Sequence, residues 1–169
     1  MEEDWRCVMH RSTWGVAAAV LLAACGSGSE ASTVELTWPI GEPNATIALS
    51  GEAVENGIVC DSATVARLGF EDLEGNAMTG EEVDAIAGES TDFVWYDELT
   101  CEDGSGSWVV LGEQLTAMSE MDMGGVNEDA TRWTVERGTG DYENLTGEGN
   151  DTVDFAAGVV TSVGEMQTN

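Results

Sequence analysis

Along much of the chain apolar and polar residues alternate with the two-residue period of a half-buried strand. Val34-Glu35-Leu36-Thr37-Trp38 puts Val, Leu and Trp on one face and Glu and Thr on the other, and Arg132-Trp133-Thr134-Val135-Glu136 repeats the pattern. Asp92–Tyr96, Ser107–Leu111 and Thr152–Phe155 are further strands, rich in β-branched and aromatic residues. Turn clusters separate them at 41–44, 74–76, 103–106, 138–141 and 147–150. One stretch departs from this period. Thr79-Gly80-Glu81-Glu82 has the T-x-x-E form of a capping box, and Val83, Ile86 and Ala87 give a short apolar stripe ending at Gly88. It predicts a two-turn helix over 80–87, lying across one end of a β-structure. Short strands at this spacing predict a sandwich or a barrel.

The first residues follow another logic. Trp14–Ala24 is an unbroken apolar and small run of 11 residues. It is too short to span a bilayer, which takes about 20, and fits the core of a secretory signal peptide. It ends Leu22-Ala23-Ala24-Cys25-Gly26, which resembles the bacterial lipobox. The resemblance implies cleavage between Ala24 and Cys25 and a diacylglycerol on the Cys25 thiol. Residues 1–24 are then a lipoprotein signal peptide, and residues 25–33 a lipidated cysteine with a Gly/Ser-rich tether. Seven such residues reach about 15 Å as flexible coil. Two or more acyl chains anchor stably where one does not, so the expected location is the extracytoplasmic face of the cell membrane. Met1-Glu2-Glu3-Asp4 is acidic where a signal peptide opens basic, whereas Met9-His10-Arg11 has the right charge. Met9 is therefore the expected initiator, which would leave Cys7 outside the protein.

Charge narrows the function classes. The 169 residues hold 33 Asp and Glu against 5 Lys and Arg, a formal charge of −28. After Cys25 the only bases are Arg67, Arg132 and Arg137. Phosphate backbones are bound by Lys and Arg, so no nucleic-acid partner is expected. The single histidine, His10, lies in the leader, so the exported part cannot build a Ser-His-Asp triad, a Cys-His pair or a His-ligated zinc site. Cys60 and Cys101 remain, an even pair in an exported chain without C-x-x-C spacing, and read as a disulfide.

A longer motif bears on the fold. Residues 133–149 have the form W-x-V-x-x-G-T-G-x-Y-x-x-L-x-G-x-G, with Gly138, Gly140, Tyr142, Gly147 and Gly149 at its fixed positions. It is similar to the hairpin of the small eight-stranded barrels of the allene oxide cyclase and dirigent type, and to exported actinobacterial proteins with such a hairpin. The latter also resemble this chain at Cys101 and Asp103-Gly104-Ser105-Gly106. The resemblance spans roughly residues 55–160. It implies an all-β fold: a small antiparallel β-barrel of about eight strands with one short helix, occupying residues 34–169. In it, Gly138 and Gly140 bracket a tight reversal, Tyr142 and Leu145 pack back on the barrel, and Gly147 and Gly149 allow close strand approach or a bulge. Only the hairpin matches, so cyclase activity is not implied.

Trp95, Trp108 and Trp133 are the candidates for the barrel interior. Rings at strand spacing more often fill a core than line a pocket, and an eight-stranded barrel is either filled or just wide enough for one small ligand. Gly147–Val153 imitates a single calcium-binding nonapeptide, an architecture that needs tandem copies. Met118, Met121 and Met123 offer thioethers but no histidine. No metal or cofactor is assigned. The expected function is a lipid-anchored barrel with a binding or interaction role, its partners the membrane and a small apolar ligand. One alternative is a cyclase- or isomerase-like enzyme with Tyr96, Tyr142 or Glu113 as its polar groups. The other is a cation-binding surface protein. The thirty carboxylates that follow Cys25 supply too many pairs for a catalytic set to be singled out.

Overall fold

The computed structural model describes residues 30–42 and 44–169. The expected export signal, the expected cleavage and lipidation site at Ala24–Cys25 and most of the expected tether lie outside the described residues.

The described residues form nine strands: β1 (Ser32–Pro39), β2 (Thr46–Ser50), β3 (Ser62–Asp72), β4 (Ala77–Met78), β5 (Phe93–Cys101), β6 (Ser107–Gln114), β7 (Val126–Gly138), β8 (Leu145–Asp154) and β9 (Val159–Thr168). Eight of them close an antiparallel barrel in the order β1-β2-β3-β5-β6-β7-β8-β9, with β9 returning to β1. The short β4 hangs on β3 outside the ring. The all-β barrel implied by the hairpin is thus the fold. Its first strand begins at Ser32, inside the segment read as tether, and Ser32 is buried and accepts a hydrogen bond from Asn56.

The interior is divided along the barrel axis. At one end Val34, Leu36, Ile47, Leu49, Leu145 and Met166 are buried in a single apolar cluster. The one-turn helix α1 (Glu52–Glu55) plugs this end, with Ala53 and the following Val59 packed into the cluster. A disulfide joins Cys60 to Cys101 here, with Cα atoms 6.0 Å apart. Closing a loop of 41 residues stabilises the fold by about 4 kcal/mol in the chain-entropy account. Tyr142 is buried beside it, its Oη 3.2 Å from Cys101 Sγ and 2.7 Å from Ser105 Oγ.

The other end is not plugged. Helix α2 (Gly80–Ile86) lies at its rim and packs Val83, Ile86 and Ala87 against Phe93, Phe70 and Trp95. Its first turn is fixed by the capping box: Thr79 Oγ1 accepts from the Glu82 N–H, and Glu82 accepts from the Thr79 N–H at 2.8 Å. The Thr79 N–H and the Thr79 hydroxyl both donate to the Glu82 carboxyl and hold it below its ordinary pKa.

Two readings of the glycines change. Gly147–Asn150 is not a turn but the middle of β8, which pairs with β9 without a break from Leu145 to Asp154. Gly147 and Gly149 serve close approach: a Cβ on Gly149 would stand 2.4 Å from the Val163 carbonyl oxygen and 2.5 Å from Trp133 Cζ2. Gly140 does take the left-handed backbone, at φ 61°. Gly138 does not; it is required because a Cβ there would meet the Tyr142 carbonyl oxygen at 2.0 Å.

Candidate functional site

The unplugged half of the interior is a cavity that widens outward. Its throat, about 150 Å³, is lined by Trp38, Arg67, Trp95, Asp97, Trp133 and Asp151 among others. The throat opens into a vestibule of about 690 Å³ bounded by Ile40, Phe70 and Asp84, with Trp38, Arg67 and Asp97 common to both. Inward it narrows to a recess of about 30 Å³ beside Trp108 and Met166. The expectation of a filled interior therefore holds for one half only.

Strand register places each group. On β5 the inward face carries Phe93, Trp95, Asp97, Leu99 and Cys101 in strict alternation. Asp97 sits directly across from Arg67 of β3. Immediately after Arg67 the register shifts by one residue, so that Leu68 bulges out, 49% exposed, and Phe70 faces Trp95. A bulge re-aims the side chains beside it, and here it lets Arg67 and Phe70 both serve the cavity. The Arg67 guanidinium makes a two-pronged bond to Asp97, Nε to Oδ1 at 2.5 Å and Nη2 to Oδ2 at 3.2 Å. It also stands 5.0 Å from the Phe70 ring centre and 5.5 Å from that of Trp95, within cation–π range.

A second carboxyl lies opposite. Thr131, Asp151 and Ser162 occupy one rung across β7, β8 and β9. Asp151 accepts from Thr131 Oγ1 at 2.5 Å on one oxygen and from Ser162 Oγ on the other. Burial pushes the Asp151 carboxyl above its ordinary pKa; the two hydroxyl bonds oppose that shift and the Asp97 charge adds to it. One half of the barrel thus holds an ion-paired carboxylate and, across from it, a carboxyl whose pKa burial raises. Such a pair can separate proton-donating from charge-stabilising roles.

All three sequence-nominated tryptophans face the interior. Trp108 is fully buried at the plugged end, edge-on to Tyr142 with ring centres 5.1 Å apart. Trp133 spans recess and throat, and Trp95 is half-buried in the throat. Trp38 joins them as a fourth ring. The three polar groups considered for catalysis lie elsewhere. Tyr96 points away from the cavity and donates to Glu71 at 3.1 Å, with burial and that bond raising its pKa. Glu113 pairs with Arg132 on the outer face. Tyr142 lies under the disulfide.

Arg67, Asp97 and Asp151 escaped the sequence reading. A signal was present: Asp97 continues the parity of Phe93 and Trp95, so an acid stands on the face assigned to the interior. Among the described residues no group of three or more His, Cys, Asp or Glu is arranged to hold a metal ion. Met118 and Met123 are exposed and Met121 is half-buried in the β6–β7 connection.

Compared with known proteins, the chain matches no family model, no curated protein and no solved structure.

Proposed function

We propose that this protein is a lipid-anchored, extracytoplasmic barrel that holds one small, largely apolar molecule in the open half of its interior. The observation that supports this most directly is the uneven filling of the barrel. One half is packed solid with apolar side chains, while the other is walled by Trp38, Trp95 and Trp133 around open volume. Throat and vestibule together match the few hundred cubic ångströms of ordinary small-molecule sites. The anchor is the acylated Cys25 expected from the lipobox.

Native mass spectrometry of the chain purified from a bacterial envelope tests the reading. A retained mass of a few hundred daltons beyond the acylated polypeptide is the expected result. A bare polypeptide that also takes up no flat aromatic compound would sink the proposal and move attention to the acidic surface. Radiolabelled palmitate should enter the wild type and not Cys25→Ser.

A second reading, a cyclase- or isomerase-like enzyme, is favoured by one observation: the buried Asp151 carboxyl shares the throat with the Arg67–Asp97 pair. In that reading Asp151→Asn abolishes turnover of a bound substrate and leaves its binding intact.

A further inference from the structure

Two tryptophan–aspartate pairs line the throat, and each tryptophan is seated on a glycine. Trp95 and Asp97 stand two residues apart on the inward face of β5, with Trp95 across from Gly112 of β6. Trp133 of β7 stands across from Gly149 of β8, and a Cβ on Gly149 would meet the bonded ring atoms Cζ2 and Cε2 at 2.5 and 2.6 Å. No other atom of that indole is as near, so the ring lies face-down on the glycine and turns its other face to the interior. Asp151 follows Gly149 by two residues on the same inward face. It is the diagonal neighbour of Trp133 and lines the throat with it.

The first pair has its cation. Arg67 bonds Asp97 through two nitrogens and stands 5.5 Å from the Trp95 ring centre. The second pair has none among the described residues. Arg132 and Arg137 are exposed, and Asp151, 5% exposed, is held by the hydroxyls of Thr131 and Ser162. A carboxylate has roughly four lone-pair sites, so two such bonds leave about half of its accepting capacity unused. Burial raises the pKa of this carboxyl, and a cation beside it would favour the charged form again. The surrounding charge has the same sign. Glu42, Asp84, Asp97 and Asp151 line throat and vestibule, and Arg67 is the one base that does so.

We propose that Trp133 and Asp151 form a subsite for the ammonium group of an organic amine. This rests on the small-molecule reading above and narrows its ligand to an apolar body carrying one positive charge. The charge sits on the Trp133 face beside Asp151, as Arg67 sits on Trp95 beside Asp97, and the body lies against Trp38, which lines both throat and vestibule. An anion is repelled by the same carboxylates.

Tryptamine, an ammonium on a flat aromatic body, and tryptophol, the same body with a hydroxyl, test the proposal by titration of the full chain. Salt at about 0.15 M screens attraction to the acidic surface beyond about 8 Å. Tryptamine should bind at least about tenfold more tightly, the effect of an ion pair assisted by a ring face. In protein labelled with ¹³C at the aspartate carboxyls, tryptamine should move the Asp151 resonance and tryptophol should not. Asp151→Asn should bring the two affinities to within about twofold of each other and leave that of tryptophol unchanged. Glu55→Gln, an equal loss of charge at the exposed plugged end, should keep the tenfold preference. Should Asp151→Asn fail to fold, the affinities and the carboxyl resonance of the wild type decide. Tryptophol binding as tightly as tryptamine, or a preference that survives Asp151→Asn, overturns the ammonium subsite and leaves the small-molecule reading standing. Binding of neither probe overturns both.

Discussion

Trp95 lies across Gly112, its partner on the neighbouring strand, so closely that a Cβ on Gly112 would stand 2.2 Å from the indole Cε2. The three nearest atoms to that missing methyl all belong to the Trp95 ring, so the glycine serves as the seat of the tryptophan. Gly112→Ala should cost about 1–3 kcal/mol, the usual range for overpacking. Adding Trp95→Leu should recover most of it. A double-mutant cycle in urea measures the coupling, and additive losses would mean that the ring does not need the seat.

Arg67 and Asp97 couple the barrel wall to the cavity. Replacing Arg67 with Met leaves Asp97 in the throat without its cation. Breaking a fully buried pair costs about 3–5 kcal/mol. Here the Arg67 side chain is 37% exposed, so we expect roughly 1–3 kcal/mol after discounting for solvent. Denaturant unfolding checks the value.

Asp151 makes stability depend on pH. A carboxyl whose folded-state pKa is raised withdraws stability as pH climbs from the ordinary carboxyl value through the raised one, and returns it on acidification. Asp151→Asn, neutral at every pH, should therefore melt above the wild type at pH 7, by about 2–4 °C for each kcal/mol relieved. The gap should close toward pH 3. Melting curves from pH 3 to pH 8 test the sign, and a gap independent of pH would mean that the effect comes from hydrogen bonding alone.

The rim depends on local chemistry. Thr79→Ala removes the capping box of α2 and should cost about 1 kcal/mol. Faster hydrogen exchange confined to residues 80–87, with the barrel strands unaffected, is the expected signature.

How far the fold was legible depended on what each strand turns inward. β1, β5, β6 and β7 present Val, Leu, Phe and Trp to the interior, and their alternation stands out. β9 presents Val160, Ser162, Gly164 and Met166 while leaving Val163 53% exposed, so its apolar positions do not share a face. The physical reason is local: Ser162 serves Asp151, and a Cβ on Gly164 would stand 2.5 Å from Trp133. The first half of β8 looked like a turn for the same cause, since Gly147 and Gly149 are demanded by neighbours on other strands. In β3 the bulge after Arg67 breaks the period itself. The site residues were hidden by number. Asp97 and Asp151 are two acids among thirty-three; strand parity marks Asp97, and cross-strand register alone separates Asp151 from those facing water.

The direction of β1 has a consequence for geometry. β1 runs from Ser32, paired with Met166 at the plugged end, to Pro39, paired with Val159 beside the vestibule. β9 runs back the other way, so the chain both joins and leaves the barrel on its sealed side. A group attached ahead of β1 therefore joins the barrel at its floor, and the vestibule opens at the opposite end.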